Sequence, residues 1–176
     1  MINEQNHFSL FGLPVSYDVD KTSLTRKYRE LQKAVHPDKF SNSTEQERLL
    51  AIHKASQVND GYEVLKSPLR RAQYLLELND IVANDNATIS DPYFLMQQME
   101  IRESLESATK NTDPLSALDE VLDQIDAMFN KLLSEIKSKF SESEPDYVAI
   151  SEVVLKLQFF NRLKSEAESQ LASFEN

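Results

Sequence analysis

Residues 21–40 read KTSLTRKYRELQKAVHPDKF, and the fold is decided here. Leu24, Tyr28, Leu31 and Val35 recur at steps of four, three and four, which puts them on one face of an α-helix. At 100° per residue, Arg26, Arg29 and Lys33 fall within about 60° of one another on the opposite face. Asp20 stands where a side chain caps the first turn. His36-Pro37 closes the helix, because the proline ring disfavours helical geometry at the residue before it. An amphipathic helix with a basic outer face thus runs straight into a stiff turn.

Working outward, a polar loop at Ser41-Asn42-Ser43 is followed by Thr44 with Glu47 three residues on, the pattern of a capping box. The helix it opens carries the stripe Ala51, Ala55, Val58, Tyr62 and Leu65. Two amphipathic helices joined by a loop pack as an antiparallel hairpin. On the N-terminal side, HFSLFGLPVSYDVDK (7–21) holds Phe8, Leu10, Phe11 and Leu13 before the breakers Gly12 and Pro14, which reads as a short helical turn and a loop. Pro68 opens a further short helix bearing Tyr74, Leu75, Leu76 and Leu78. Residues 79–90, NDIVANDNATIS, have no helical stripe. The expected division is therefore 1–78, a linker at 79–90, and 91–176.

Three helices are expected in the second part. Asp91-Pro92, Asp113-Pro114 and Glu144-Pro145 each place proline at a first helical position. The middle helix has apolar residues at 115, 118, 122, 125, 129, 132 and 136. The last repeats the pattern through Val153, Leu157, Phe160, Ala167, Leu171 and Phe174. Steps of three and four give a left-handed seam, which serves either a long homo-oligomeric coiled coil or a three-helix bundle. Short connections favour the bundle. The fold class is all-α, an N-terminal helical hairpin joined to a C-terminal three-helix bundle.

Composition narrows the function. With 2 Gly there is no glycine-rich phosphate loop and little turn capacity for a β-rich fold. The lack of Cys removes disulfides and thiolate-held metals or clusters, which suits a reducing cytoplasm. His7, His36 and His53 are spaced too widely for a metal site, so no metal or other cofactor is expected. Met1 to Asn6 lack the pattern of a secretory signal, and no apolar run spans a bilayer. Residues 1–77 hold 11 Lys+Arg against 10 Asp+Glu, whereas 78–176 hold 8 against 19. A near-neutral module joined to an acidic one implies different partners for each, with nucleic acid disfavoured.

On the helix from Pro92, Phe94, Ile101, Leu105 and Ala108 share one apolar face, assigned to the core. Leu95, Met96 and Met99 lie on the other side, beside Glu103 and Glu106. A second apolar face marks either an interaction site or a helix buried on two sides. Phe159 sits about 100° off the seam of its own helix, where an aromatic is more often core than contact.

His36-Pro37-Asp38 alone is three residues of solvated turn. At the mouth of a hairpin whose first helix is basic outside, it resembles the J domain of the DnaJ class. HFSLFGLP (7–14), HPDKF (36–40), SPLRRAQYLL (67–76), FLMQQMEIRESLE (94–106) and KLQFFNRL (156–163) resemble the HscB family of iron–sulfur cluster co-chaperones over nearly the whole chain. The resemblance implies that Arg26, Arg29, Lys33, His36, Pro37 and Asp38 dock on an HscA/DnaK-type chaperone and accelerate its ATP hydrolysis. It implies that Leu95, Met96, Met99, Glu100, Glu103 and Phe159 hold an IscU-type scaffold protein. Met99 stands where leucine is more usual and Ser107 where an acid is common. The physical roles agree: Pro37 lowers the entropy lost on docking, Asp38 offers a carboxylate to an arginine, and the basic face steers an acidic partner. The chain is expected to be a cytoplasmic monomer with no catalytic residue of its own. His36 and Asp38 come with no nucleophile, metal set or oxyanion donor. A J protein serving some other client differs from this reading only in the exposed patch of the second module.

Overall fold

The computed structural model describes residues 6–40, 43–81 and 91–174, with residues 37 and 38 described through their backbone alone. Residues 82–90 of the expected linker lie outside the described residues. The chain divides into two compact units, Met1–Asp80 and Ile81–Asn176. Among the described residues there are helices and no strands.

The first unit contains α1 (His7–Leu10), α2 (Lys21–Val35), a single 3-10 turn (Pro37–Phe40), α3 (Glu45–Lys66) and α4 (Pro68–Glu77). Each boundary has a local cause. The Asp20 carboxylate accepts from the Thr22 N–H at 2.9 Å and starts α2. His36 then turns extended, with φ −61° and ψ 128°, as the following proline requires. At α3 the expected capping box is formed: Thr44 Oγ1 accepts from the Glu47 N–H while the Glu47 carboxylate accepts from the Thr44 N–H. Ser67 ends α3 and caps α4, and Pro68 occupies the first position of α4.

Facing pairs show that α2 and α3 run antiparallel. Thr25 meets Tyr62, while Tyr28 and Gln32 meet Asn59. The Tyr28 and Tyr62 rings stack 3.9 Å apart, and Gln32 Nε2 donates to the Tyr28 hydroxyl at 2.6 Å. The apolar face of α2 is less buried than its periodicity implies. Only Leu24 is fully buried, whereas Tyr28, Leu31 and Val35 are half-buried. The reason is this polar, aromatic clasp, which replaces dry packing as α2 approaches the loop.

Both glycines serve geometry. Gly12 takes φ +56°, a left-handed conformation that closes the turn after α1. Gly61 lets α1 lie against α3, since a Cβ there would come within 3.1 Å of His7 Nδ1 and Phe11 Cε2. The core of the unit includes Phe8, Phe11, Leu24, Ala51, Val58, Leu65, Ala72 and Leu76. Arg71 is buried among them with its guanidinium 5.1 Å from the centre of the Tyr17 ring.

The second unit comprises α5 (Pro92–Ala108), α6 (Pro114–Phe140) and α7 (Tyr147–Phe174). Asp91 and Asp113 cap α5 and α6 with proline at the first position, as expected. The third start differs. α7 begins at Tyr147, and Asp146 accepts from the Val148 and Ala149 N–H groups at 3.0 Å each. Pro145 therefore precedes the cap instead of opening the helix, because the side chain best placed to satisfy the free amides is Asp146.

Asp91 and Phe94 meet Lys156 and Phe160, so α5 and α7 point the same way, while Lys164 of α7 reaches back to Asp126 of α6. Phe94, Ile101, Leu105, Ala108, Leu118, Ile125, Phe160, Leu163 and Ala167 build the core of this bundle. The α6 seam is broader than a strict alternation. Val121 is buried, Leu122, Phe129 and Leu132 are half-buried, and Leu115 is exposed at the first turn. Phe174, at the last position of the α7 seam, is also exposed.

Candidate functional sites

The candidate residues fall on two surfaces, one in each unit. On α2 the side that faces away from α3 presents Arg26, Arg29 and Lys33, all exposed. Arg26 approaches Glu30 at 3.8 Å with both side chains about two-thirds exposed, a pairing too wet to neutralise it. A shallow groove runs along this face, lined by Lys21, Arg26, Arg29, Glu30 and Lys33. A second depression continues it past Lys33 and Gln32 to His36 and Lys39. The basic strip therefore does not stop at the helix end. Lys39 extends it into the 3-10 turn, where its backbone N–H donates to the His36 carbonyl at 3.0 Å. Helical periodicity could not assign Lys39, since it lies beyond the helix; its signal was only its place in the HPDKF string.

His36 is exposed at the foot of the strip. The Pro37 and Asp38 side chains lie outside the described residues, but their backbone forms the first half of the 3-10 turn.

In the second unit, α5 buries Phe94, Ile101, Leu105 and Ala108 and turns its other side outward. There Leu95 is 44%, Met96 50% and Met99 64% exposed. The helix is thus not buried on two sides. Glu100 and Glu103 stand exposed next to the apolar residues and form no ion pair among the described residues. Glu106 is engaged instead: Lys110 Nζ donates to it at 2.6 Å, and that bond, followed by the charge of Lys110, holds its carboxyl below the usual range. Ser107 is exposed at the same end of the helix.

Phe159 is placed differently from the other five residues. It is half-buried between α5 and α7, edge-on to Phe94 at 5.7 Å and to Phe160 at 5.5 Å. The guanidinium of Arg102 sits 5.6 Å from its ring centre. Its structural share is support for α5 from below, with only part of the side chain reaching solvent. Among the described residues no three His, Cys, Asp or Glu are grouped to hold a metal, and no helix is long and apolar enough to cross a membrane.

Comparison with known proteins follows the same two-part division. The DnaJ domain family matches residues 6–74, and the family described as the HSCB C-terminal oligomerisation domain matches residues 90–168. The chain is 44% identical over 163 residues to the Co-chaperone protein HscB homolog of Shewanella sp. (strain MR-4), covering 92% of this chain and 94% of that one. It is 43% identical over 164 residues to that of Vibrio cholerae, covering 93% and 95%. Among solved structures, the chaperone HscB from Vibrio cholerae superposes with a TM-score of 0.82 at 42% identity, over 95% of this chain and 99% of the other. The human co-chaperone HscB gives 0.85 at 29% identity, over 93% and 81%.

Proposed function

Because the chain belongs to the HscB family of J-domain co-chaperones, we propose that it carries an IscU-type iron–sulfur scaffold protein to an HscA/DnaK-type chaperone and stimulates that chaperone's ATPase. The observation that carries this reading is the pairing, on one chain, of two unlike exposed surfaces. One is a basic strip ending at His36-Pro37-Asp38, and the other an apolar face on α5 flanked by Glu100 and Glu103.

Each surface suits a different partner. Arg26, Arg29, Lys33 and Lys39 form a field that attracts an acidic surface and orients it before contact. The Pro37 ring limits the freedom of the turn, so less entropy is lost when it seats. Asp38 then supplies a carboxylate for an arginine of the chaperone, a charge-assisted bond sensitive to position. The α5 face offers Leu95, Met96 and Met99 as anchors for an apolar patch on the scaffold. The thioether side chains of the two methionines adapt to its shape. The protein performs no chemistry on a substrate in this scheme. It places a client beside an ATPase and trips hydrolysis there, as a monomer working in the cytoplasm.

The test is single-turnover ATP hydrolysis by the chaperone, with the full chain and with Asp38→Asn. The intact chain should accelerate hydrolysis and do so further with scaffold present. Asp38→Asn should give no acceleration while keeping its helical circular dichroism. Equal acceleration by the two proteins would remove the loop from the mechanism.

A further inference from the structure

The α5 surface carries one more feature. Tyr93 is 61% exposed, in the first turn of a helix whose other large aromatic, Phe94, is buried at 2%. It faces neither the core nor the middle of the Leu95, Met96, Met99 face. At 100° per residue it shares a flank with Met96, three residues on, and Glu100, seven residues on. Gln97 Nε2 reaches back to its hydroxyl at 3.5 Å, one turn on along the same side of the helix. Helical side chains lean toward the N-terminus, which brings the Glu100 carboxylate back toward that same turn. An exposed aromatic ring and a carboxylate with no ion pair among the described residues thus stand before and after Met96 on one flank of α5.

Three cations of the same unit, two of them on α5 or at its end, are engaged elsewhere. Arg102 sits over the Phe159 ring, Lys110 on Glu106, and Lys156 on Asp91. The surrounding unit is strongly acidic, with 8 Lys+Arg against 18 Asp+Glu across residues 81–176. The field at Tyr93 therefore favours a positive guest, and a tyrosine face backed by a carboxylate is chemistry that selects a cation over a neutral group.

We propose that Tyr93 is a specificity-determining residue of the client site, forming with Glu100 a clamp for a lysine or arginine side chain of the bound client. This rests on the reading of α5 as the client surface. The apolar anchors supply contact area, and the clamp fixes the register by requiring a positive charge at one edge of the client's patch. Met96 forms the floor between the ring and the carboxylate.

The experiment is calorimetric titration of an IscU-type scaffold into the full-length chain. It compares wild type, Tyr93→Ala, Tyr93→Phe, Tyr93→Leu, Glu100→Gln, the Tyr93→Ala/Glu100→Gln pair and the Leu95/Met96/Met99→Ala triple variant. Tyr93 is exposed, so its variants should keep wild-type helicity. Tyr93→Ala and Tyr93→Leu should each weaken binding about tenfold, whereas Tyr93→Phe should stay within about twofold, since the ring face is what attracts the cation. The double variant should lose less than the product of the two single losses, because both residues hold the same guest. Wild-type affinity for Tyr93→Ala, alongside a triple variant that no longer binds, would overturn the clamp and leave the apolar surface intact. Wild-type affinity for Tyr93→Leu, with Tyr93→Ala weakened, would reduce the residue to an apolar contact and overturn the cation. Normal binding by the triple variant as well would overturn the client reading of α5 itself, and the clamp with it.

Discussion

Asp91 has two tasks at one position. Its Oδ1 accepts from the N–H groups of Tyr93 and Phe94, and its Oδ2 accepts from Lys156 Nζ at 2.6 Å. The side-chain bond from Lys156, then the backbone bond from Phe94, hold its carboxyl below the usual aspartate range. A carboxyl that titrates lower in the folded state contributes stability that is fully present above its unfolded value, about pH 3.9, and is lost as pH falls through the folded value. Asp91→Ala should therefore lower the melting temperature at neutral pH by several degrees, with the difference steady down to about pH 5 and shrinking as the solution becomes more acid. Melting curves of wild type and variant across pH 2.5–7.5 check this. A difference that stays constant over the whole range would assign the effect to helix propensity instead of the charged cap. Because the same cap orients the turn that displays Tyr93, Leu95 and Met96, scaffold binding should weaken along with stability.

At the scale of the element, α2 and α5 obey one rule: one face is committed to the core and the other keeps its chemistry for something else. This was legible in the sequence, since a 3.6-residue period separates the two faces and Asp20, Thr44, Asp91 and Asp113 mark where the period begins. Three features were not legible for physical reasons. The start of α7 depends on which of two neighbouring acids, Glu144 or Asp146, satisfies the free amides, and spacing from Pro145 does not decide that. The half-buried state of Phe159 depends on α5 and α7 running in the same direction, which brings Phe94 and Arg102 onto its ring. The reach of the basic strip to Lys39 depends on the 3-10 turn. For α2 the functional consequence can be tested. Arg26→Glu with Arg29→Glu reverses the field over about one turn of exposed helix and disturbs no buried side chain. Chaperone binding should fall by at least tenfold at low salt, the loss residing mainly in the association rate. Wild-type binding should itself weaken between about 50 and 300 mM salt as exposed charges are screened. An association rate that is indifferent to both salt and the substitutions would remove steering from the mechanism, and scaffold binding at a given salt concentration should be unchanged by the two substitutions.

At the scale of the whole molecule, the question is whether the two surfaces can be inactivated separately. The chain gives a physical reason to expect so, since the basic strip lies in the unit Met1–Asp80 and the α5 face in the unit Ile81–Asn176. Replacing Leu95, Met96 and Met99 with Ala removes three exposed apolar side chains and no member of either core. Alanine is also the best helix former, so α5 should be retained or slightly strengthened. Apolar anchors at the centre of an interface commonly cost about 1–3 kcal/mol each on truncation, so the triple variant should bind scaffold at least a hundredfold more weakly. It should melt near the wild-type temperature and accelerate the chaperone's hydrolysis normally when scaffold is absent. The added acceleration that scaffold confers should vanish, because that increment requires one chain to hold both partners and so raise the effective concentration of one near the other. Mixing the triple variant with Asp38→Asn should not restore the increment, since each molecule then carries only one working surface. Restoration by the mixture would show that the surfaces act from separate chains, through an oligomer or in sequence. Failure of the mixture, with each variant keeping its own remaining activity, would establish that the bridge is made within a single molecule.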